Sequence, residues 1–216
     1  MGHFFAVTAF KTENEKLVSD AIVEYSTAYD VKARALDKVN EPNEKSHAIL
    51  FPQANGWCVV IWPRYFNIHD VPLAKTISEK YSLLVSTVNV YDGDYWCHYL
   101  FNAGEEIDAY CSIPNYWAES ESESEDSINK FKGNPELVAQ YMGIEKTNIE
   151  GYYQHLLEDK EYGKVYSEDE SELDDFWVFT DFWNKLGIEY PADIMSFNSV
   201  VDLTKKFDSK FPEIEA

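Results

Sequence analysis

The chain has 216 residues, 45% of them hydrophobic and 16% aromatic, which is enough apolar surface for a sizeable core and too much for a disordered polymer. Its formal net charge of −21 excludes nucleic acid and anionic membrane surfaces as ligands, since both would repel it, and points to a soluble protein with a basic partner. The three cysteines, at 58, 97 and 111, are odd in number and lack CxxC spacing, as expected in a reducing cytoplasm.

The acidity is lopsided. Residues 1–103 carry 12 acids against 9 bases, and residues 104–216 carry 27 against 9. No apolar window of about 18 residues predicts a transmembrane helix. The opening MGHFFAVTAF lacks a basic region and a cleavage site, so it reads as a first strand, not a signal peptide.

In chain order, HFFAVTAF (3–10) is a strand bounded by Gly2 and Lys11. Leu17, Val18, Ala21, Ile22, Tyr25, Ala28 and Tyr29 recur at helical spacing, with Thr12 or Asn14 to cap the start. HAILF (47–51) and WCVVIW (57–62) are strands on either side of a QANG turn, and Pro63 ends the second. DVPLAKTISEKYS (70–82) is a helix with Asp70 as cap and Pro72 in its first turn. LLVSTVNVY (83–91), YWCHYLF (95–101) and EIDAYCSI (106–113) are strands, joined by DGD and by Asn102, Ala103 and Gly104. The order β-α-β-β-α-β plus a hairpin predicts an α+β fold with a mostly antiparallel, ferredoxin-like sheet. Another α+β sandwich with helices on one face is the alternative.

ESESESED (119–126) reads as a solvated acidic linker, so residues 119–133 separate a sheet domain (1–118) from a helical segment (134–216) packed on the sheet. Helices are expected at 134–143, with Asn134 as cap, Pro135 next and Gly143 as terminator, and at 147–159, 174–187 and 196–207. In the third of these Phe176, Phe179, Phe182, Trp183 and Leu186 share a face, which makes it a core anchor.

The hairpin around residues 94–117 holds the richest chemistry. With 102–104 as its loop, 101 faces 105 and 99 faces 107, so His98 lies opposite Asp108 and Trp96 opposite Tyr110. Tyr95, Cys97, Tyr99, Phe101, Ile107, Ala109 and Cys111 then form an apolar core face, with the two cysteines diagonal, buried and inert. Trp96, His98, Leu100, Glu106, Asp108 and Tyr110 form an amphipathic face. A carboxylate opposite an imidazole orients it for general-base work, but no nucleophile is placed beside it, and a structural cross-strand pair is the simpler reading. No catalytic set, metal site, phosphate loop or cofactor motif is present. Trp96, His98, Asp108 and Tyr110 are the candidate binding residues.

The pattern D-x-W-x3-L-x3-G-x3-D-x3-S-x-P-x-Y falls on Asp94, Trp96, Leu100, Gly104, Asp108, Ser112, Pro114 and Tyr116. It resembles a segment of uncharacterised bacterial cytosolic proteins, some of which are similar to immunity proteins of toxin systems. The resemblance implies a bacterial origin and a shared fold core, and it assigns no site. Together with the acidic half-chain it leads to the expectation of a non-enzymatic acidic binding protein that neutralises a basic partner. The alternative is a small-ligand binder or enzyme with a cleft near Trp96, His98, Asp108 and Tyr110.

Overall fold

The computed structural model describes residues 3–29, 31–37, 39–63, 69–157 and 160–203. Strand β1 (Phe5–Lys11) leads into α1 (Glu15–Ala28), whose cap is Asn14: its side chain accepts the Leu17 N–H at 3.1 Å. After β2 (Arg34–Leu36) come β3 (His47–Leu50), β4 (Trp57–Ile61), α2 (Asp70–Tyr81), β5 (Leu84–Tyr91), β6 (Tyr95–Asn102) and β7 (Glu105–Cys111). The chain continues through α3 (Glu121–Lys130), α4 (Pro135–Met142), α5 (Val178–Lys185) and β8 (Ser199–Asp202). The fold is α+β, with five helices and one antiparallel sheet of eight strands among the described residues, in the order β2-β8-β3-β4-β1-β5-β6-β7.

The sheet is covered on both faces. Alternation along β1 sends Ala6 and Phe10 to one side and Val7 and Ala9 to the other. The first face packs on α1 through Val18, Ala21, Ile22 and Tyr25, and on α2 through Leu73, Ala74 and Ile77. The second packs on α4 and α5 through Val138, Ala139, Phe179, Phe182 and Trp183. Burial of each of these large side chains contributes about 1.5–3 kcal/mol, so α5 is a principal anchor of the second layer. Of the aromatic stripe expected on residues 176–186, Phe179, Phe182 and Trp183 are fully enclosed and Leu186 nearly so, whereas Phe176 is half-buried at the edge of the cluster.

Several expectations need correction. Residues 196–207 do not open a helix: the β-branched pair Val200 and Val201 sits in β8, between β2 and β3, while residues 204–207 lie outside the described residues. The C-terminal segment is therefore built into the sheet that residues 1–118 begin. The short β2 escaped notice because three residues carry no readable period. Residues 147–159 form only two 3₁₀ turns, Lys146–Asn148 and Glu150–Tyr152, before the chain extends to Leu157; residues 158 and 159 lie outside the described residues. Gly151 weakens a helix there, and Tyr152 and Tyr153 instead turn their hydroxyls to Asp169 and Asp108.

The acidic linker is also ordered. Ser120 caps α3 by accepting the Glu123 N–H at 3.3 Å, while the Glu123 carboxylate accepts the Glu119 N–H at 2.9 Å. This is a variant of the capping box, and the Ser-x-x-Glu spacing was legible at 120–123. Immediately after α3, residues 131–133 run along β7, with Cys111 N–H donating to Phe131 O at 3.1 Å and Gly133 N–H to Ala109 O at 3.0 Å. That strip covers an otherwise open sheet edge.

Asp70 is not a cap. It lies inside the first turn of α2, and its carboxylate accepts from Thr87 Oγ1 at 2.9 Å and from Asn89 Nδ2 at 3.2 and 3.0 Å. Burial pushes this carboxyl from its ordinary 3.8 up to about 7, against the opposing pull of those hydrogen bonds.

Candidate functional site

The β6–β7 hairpin closes more tightly than its sequence suggests. Ala103 and Gly104 alone make the turn, both at positive φ, so Asn102 pairs with Glu105. The register then shifts at Leu100/Phe101, leaving Ile107 as an extra residue on β7. Together the two changes displace the pairing by two residues. His98 opposes Tyr110, Leu100 opposes Asp108, and Cys97 opposes Cys111. A shift of two keeps Trp96, His98, Leu100, Asp108 and Tyr110 on one face. Ile107 leaves its expected face and joins theirs in the core.

The expected roles of the two faces are reversed at this hairpin. The amphipathic face is the deeper one: Trp96, His98, Asp108 and Tyr110 are all buried beneath α5 and the turns around 150. The Phe182 ring stands edge-on to His98 at 4.9 Å and lies 5.5 Å from Trp96. On the other face Phe101 is enclosed, but Tyr95, Cys97 and Tyr99 are only half-buried.

A polar chain crosses this apolar layer. Trp183 Nε1 donates to Ser86 Oγ at 3.1 Å, Ser86 Oγ lies 3.0 Å from His98 Nε2, and His98 Nδ1 lies 2.8 Å from Asp108 Oδ2. Asp108 also accepts from Tyr153 OH at 3.1 Å and from the Asn134 N–H at 2.5 Å. With Nδ1–H donated to Asp108, Nε2 is free to accept the Ser86 hydroxyl proton, and every atom of the chain is satisfied. The residues come from β5, β6, β7, α5, the cap of α4 and the 3₁₀ turn that follows α4, so the chain staples the second helical layer to the sheet.

Ser86 is the member that sequence reasoning missed. It is the hydroxyl that a Ser/His/Asp arrangement needs, and it sits on the strand neighbouring His98. The arrangement has no room for a substrate, since Ser86 and His98 are fully enclosed. None of the described clefts is lined by Ser86, Trp96, His98 or Tyr110. Asp108 alone contributes to one, a cleft of about 180 Å³ that also includes Lys130 and Lys132. Among the described residues no group of three His, Cys, Asp or Glu side chains is placed to hold a metal.

The exposed chemistry lies at the other end of the hairpin. Trp117 is 65% and Tyr116 39% exposed. Their rings pack with Tyr91 and Tyr95: Tyr91 stacks on Tyr95 at 5.5 Å, and Trp117 meets Tyr91 edge-on at 5.2 Å. Trp117 Nε1 donates to Tyr95 OH at 3.1 Å, and Tyr116 OH donates to Asp94 Oδ2 at 2.8 Å, which raises the Tyr116 hydroxyl above its ordinary range. The first and last residues of the D-x-W…P-x-Y pattern are therefore bonded to each other. After Trp117 and Ala118 come Glu119 and α3, a helix with no buried residue that carries Glu121, Glu123, Glu125 and Asp126. Asn115 Nδ2 donates to Ser124 Oγ at 3.1 Å, holding the helix against the aromatic loop.

No family model, curated protein or solved structure matches this chain. Among the described residues no helix is long and apolar enough to cross a membrane.

Proposed function

We propose that the chain is a non-enzymatic acidic binding protein of the bacterial cytoplasm, built on a ferredoxin-like core, that holds a basic partner protein as an immunity protein holds its toxin. The observation that carries this reading is the continuous surface from Asn115 to Asp126. Two exposed aromatic side chains, already fixed by hydrogen bonds, adjoin a helix that presents carboxylates and buries nothing. Tyr and Trp supply large contact area at low entropic cost and dominate interface energetics. Carboxylates around them steer a cationic partner and repel an anionic one. An arginine side chain seated on Trp117 or Tyr116 would gain cation–π attraction as well.

The test is a titration of the full chain with an arginine-rich peptide as a defined probe, and with any basic protein encoded beside its gene, at rising salt. The expected result is an affinity that falls steeply between 50 and 500 mM salt, on the order of the Debye screening of exposed charges, and that drops about tenfold or more in Trp117→Ala. Affinity indifferent to both salt and Trp117 would overturn the reading.

A second reading, a small-ligand binder or enzyme at Trp96, His98, Asp108 and Tyr110, has the Ser86–His98–Asp108 chain behind it. It requires α5 to lift from the sheet. Labelling of Ser86 by a fluorophosphonate probe, lost in His98→Ala, would favour it.

A further inference from the structure

Cys97 and Cys111, expected to sit diagonally, are directly opposed in the β6–β7 ladder. The hydrogen bonds on either side of them define the kind of pair they make. The Cys111 N–H points out of the hairpin to Phe131 O, whereas the next residue, Ser112, donates its N–H back to Trp96 O at 2.9 Å. The cysteines therefore occupy a non-hydrogen-bonded position, where opposed Cα atoms approach to about 4.5 Å and side chains lie closest. That separation falls at the short end of the roughly 4.4–6.8 Å that a disulfide spans. The two side chains face each other on the sheet face that also carries Tyr95 and Tyr99, and Cys97 is only half-buried there. Cys58, the third cysteine, is enclosed on β4, away from both.

We propose that Cys97 and Cys111 form a reversible cross-strand disulfide by exchange with a low-molecular-weight disulfide of the glutathione type. The Cys97 thiolate attacks one sulfur of the disulfide, whose S–S bond breaks. One thiolate leaves and takes up a proton, and Cys97 is held as a mixed disulfide. Cys111, deprotonated in turn, attacks the Cys97 sulfur and expels the second small thiolate, which is also protonated. The protein loses two thiol hydrogens and gains one S–S bond, and one small disulfide is reduced to two small thiols. Because the thiolate is the attacking species, burial and the neighbouring Cys111 thiol, which hold Cys97 well above its ordinary range, make exchange slow at neutral pH and faster as pH rises.

The experiment uses the folded full chain and oxidised glutathione at pH 8, with acid quenching, thiol counting in denaturant and mass mapping of peptides. Two of the three thiols are expected to disappear, with a Cys97–Cys111 cross-linked peptide that dithiothreitol restores to thiols. Cys58, whose thiol burial pushes up to about 12, is expected to remain reduced throughout, reporting that the protein stayed folded. Cys111→Ser is expected to stop at a glutathione adduct on Cys97. The proposal is overturned if both cysteines of the wild type stay reduced while a free dithiol in the same tube is fully oxidised. Separate adducts on Cys97 and Cys111, or links only between chains, overturn it equally.

Discussion

His98 Nδ1 lies 2.8 Å from Asp108 Oδ2, although the residue opposite His98 in the ladder is Tyr110. The contact is diagonal, across one pleat, within reach of an imidazole and a carboxylate leaning toward each other. It links two strands through side chains on a face that α5 then seals. A buried pair of this kind holds only when the remaining lone pairs are satisfied, and Tyr153 and Asn134 complete Asp108 from the helical layer. Breaking it strands polar atoms in an apolar layer. Asp108→Asn puts an amide where three donors converge, and a loss of about 2–4 kcal/mol is expected in chemical denaturation. Ser86→Ala strands Trp183 Nε1 and His98 Nε2 and is expected to cost about 1–3 kcal/mol. The double variant should lose less than the two single losses together, because both belong to one chain of bonds.

Trp117 should behave in the opposite way. With most of its surface in solvent, Trp117→Ala is expected to move folding stability by no more than about 0.5 kcal/mol while weakening the basic partner strongly. Thermal unfolding beside a binding isotherm separates the two. A large stability loss would place Trp117 in the fold and not in recognition.

The Asp70 carboxyl makes stability depend on pH. Its pKa is raised in the folded state, so the folded chain keeps the proton more tightly than the unfolded one. The contribution of Asp70 is then most favourable below about pH 4 and is lost as pH rises toward 7, by up to about 1.4 kcal/mol per pH unit. Asp70→Asn removes that slope. Denaturation of both proteins at pH 4, 5.5 and 7.5 should show the wild type losing ground to the variant at each step, and parallel curves would refute it.

Helix α3 depends on its cap because it has no buried face. Ser120→Ala should cost about 1 kcal/mol of local helix stability, visible as faster amide exchange across residues 121–130, with the global unfolding midpoint unmoved. A shift of the whole transition would mean that α3 is packed more firmly than its exposure indicates.

Gly133 joins the β7 edge strip to α4 at φ +71°, and a Cβ there would fall on the Tyr153 ring. Gly133→Ala is expected to cost about 2 kcal/mol or more through backbone strain and displacement of the Tyr153–Asp108 bond. Gly143→Ala, also at positive φ but in open space, should cost only the backbone part. Equal losses in the two variants would show that the Tyr153 contact adds nothing.

Local chemistry was enough to place α1, α2, α4 and α5 and the strands from β3 to β7, because each carries a cap, a turn or a period that acts within a few residues. Phe179, Phe182, Trp183 and Leu186 declared themselves as core through their helical spacing alone. The face shared by Trp96, His98, Asp108 and Tyr110 was legible for the same reason, since pleat alternation survives a slip of two residues. Its burial was not. Which face of a sheet receives a helix depends on segments far along the chain, here α5, more than 60 residues after Tyr110. The entry of β8 between β2 and β3, the opposition of Cys97 to Cys111 and the placing of Ser86 against His98 likewise rest on contacts between distant residues, or on one bulge at Ile107 that no propensity marks. Sequence alone determined the period of those helices and strands and the acidity of the chain; only the tertiary structure decided which polar groups were enclosed, because enclosure is a property of what packs on top.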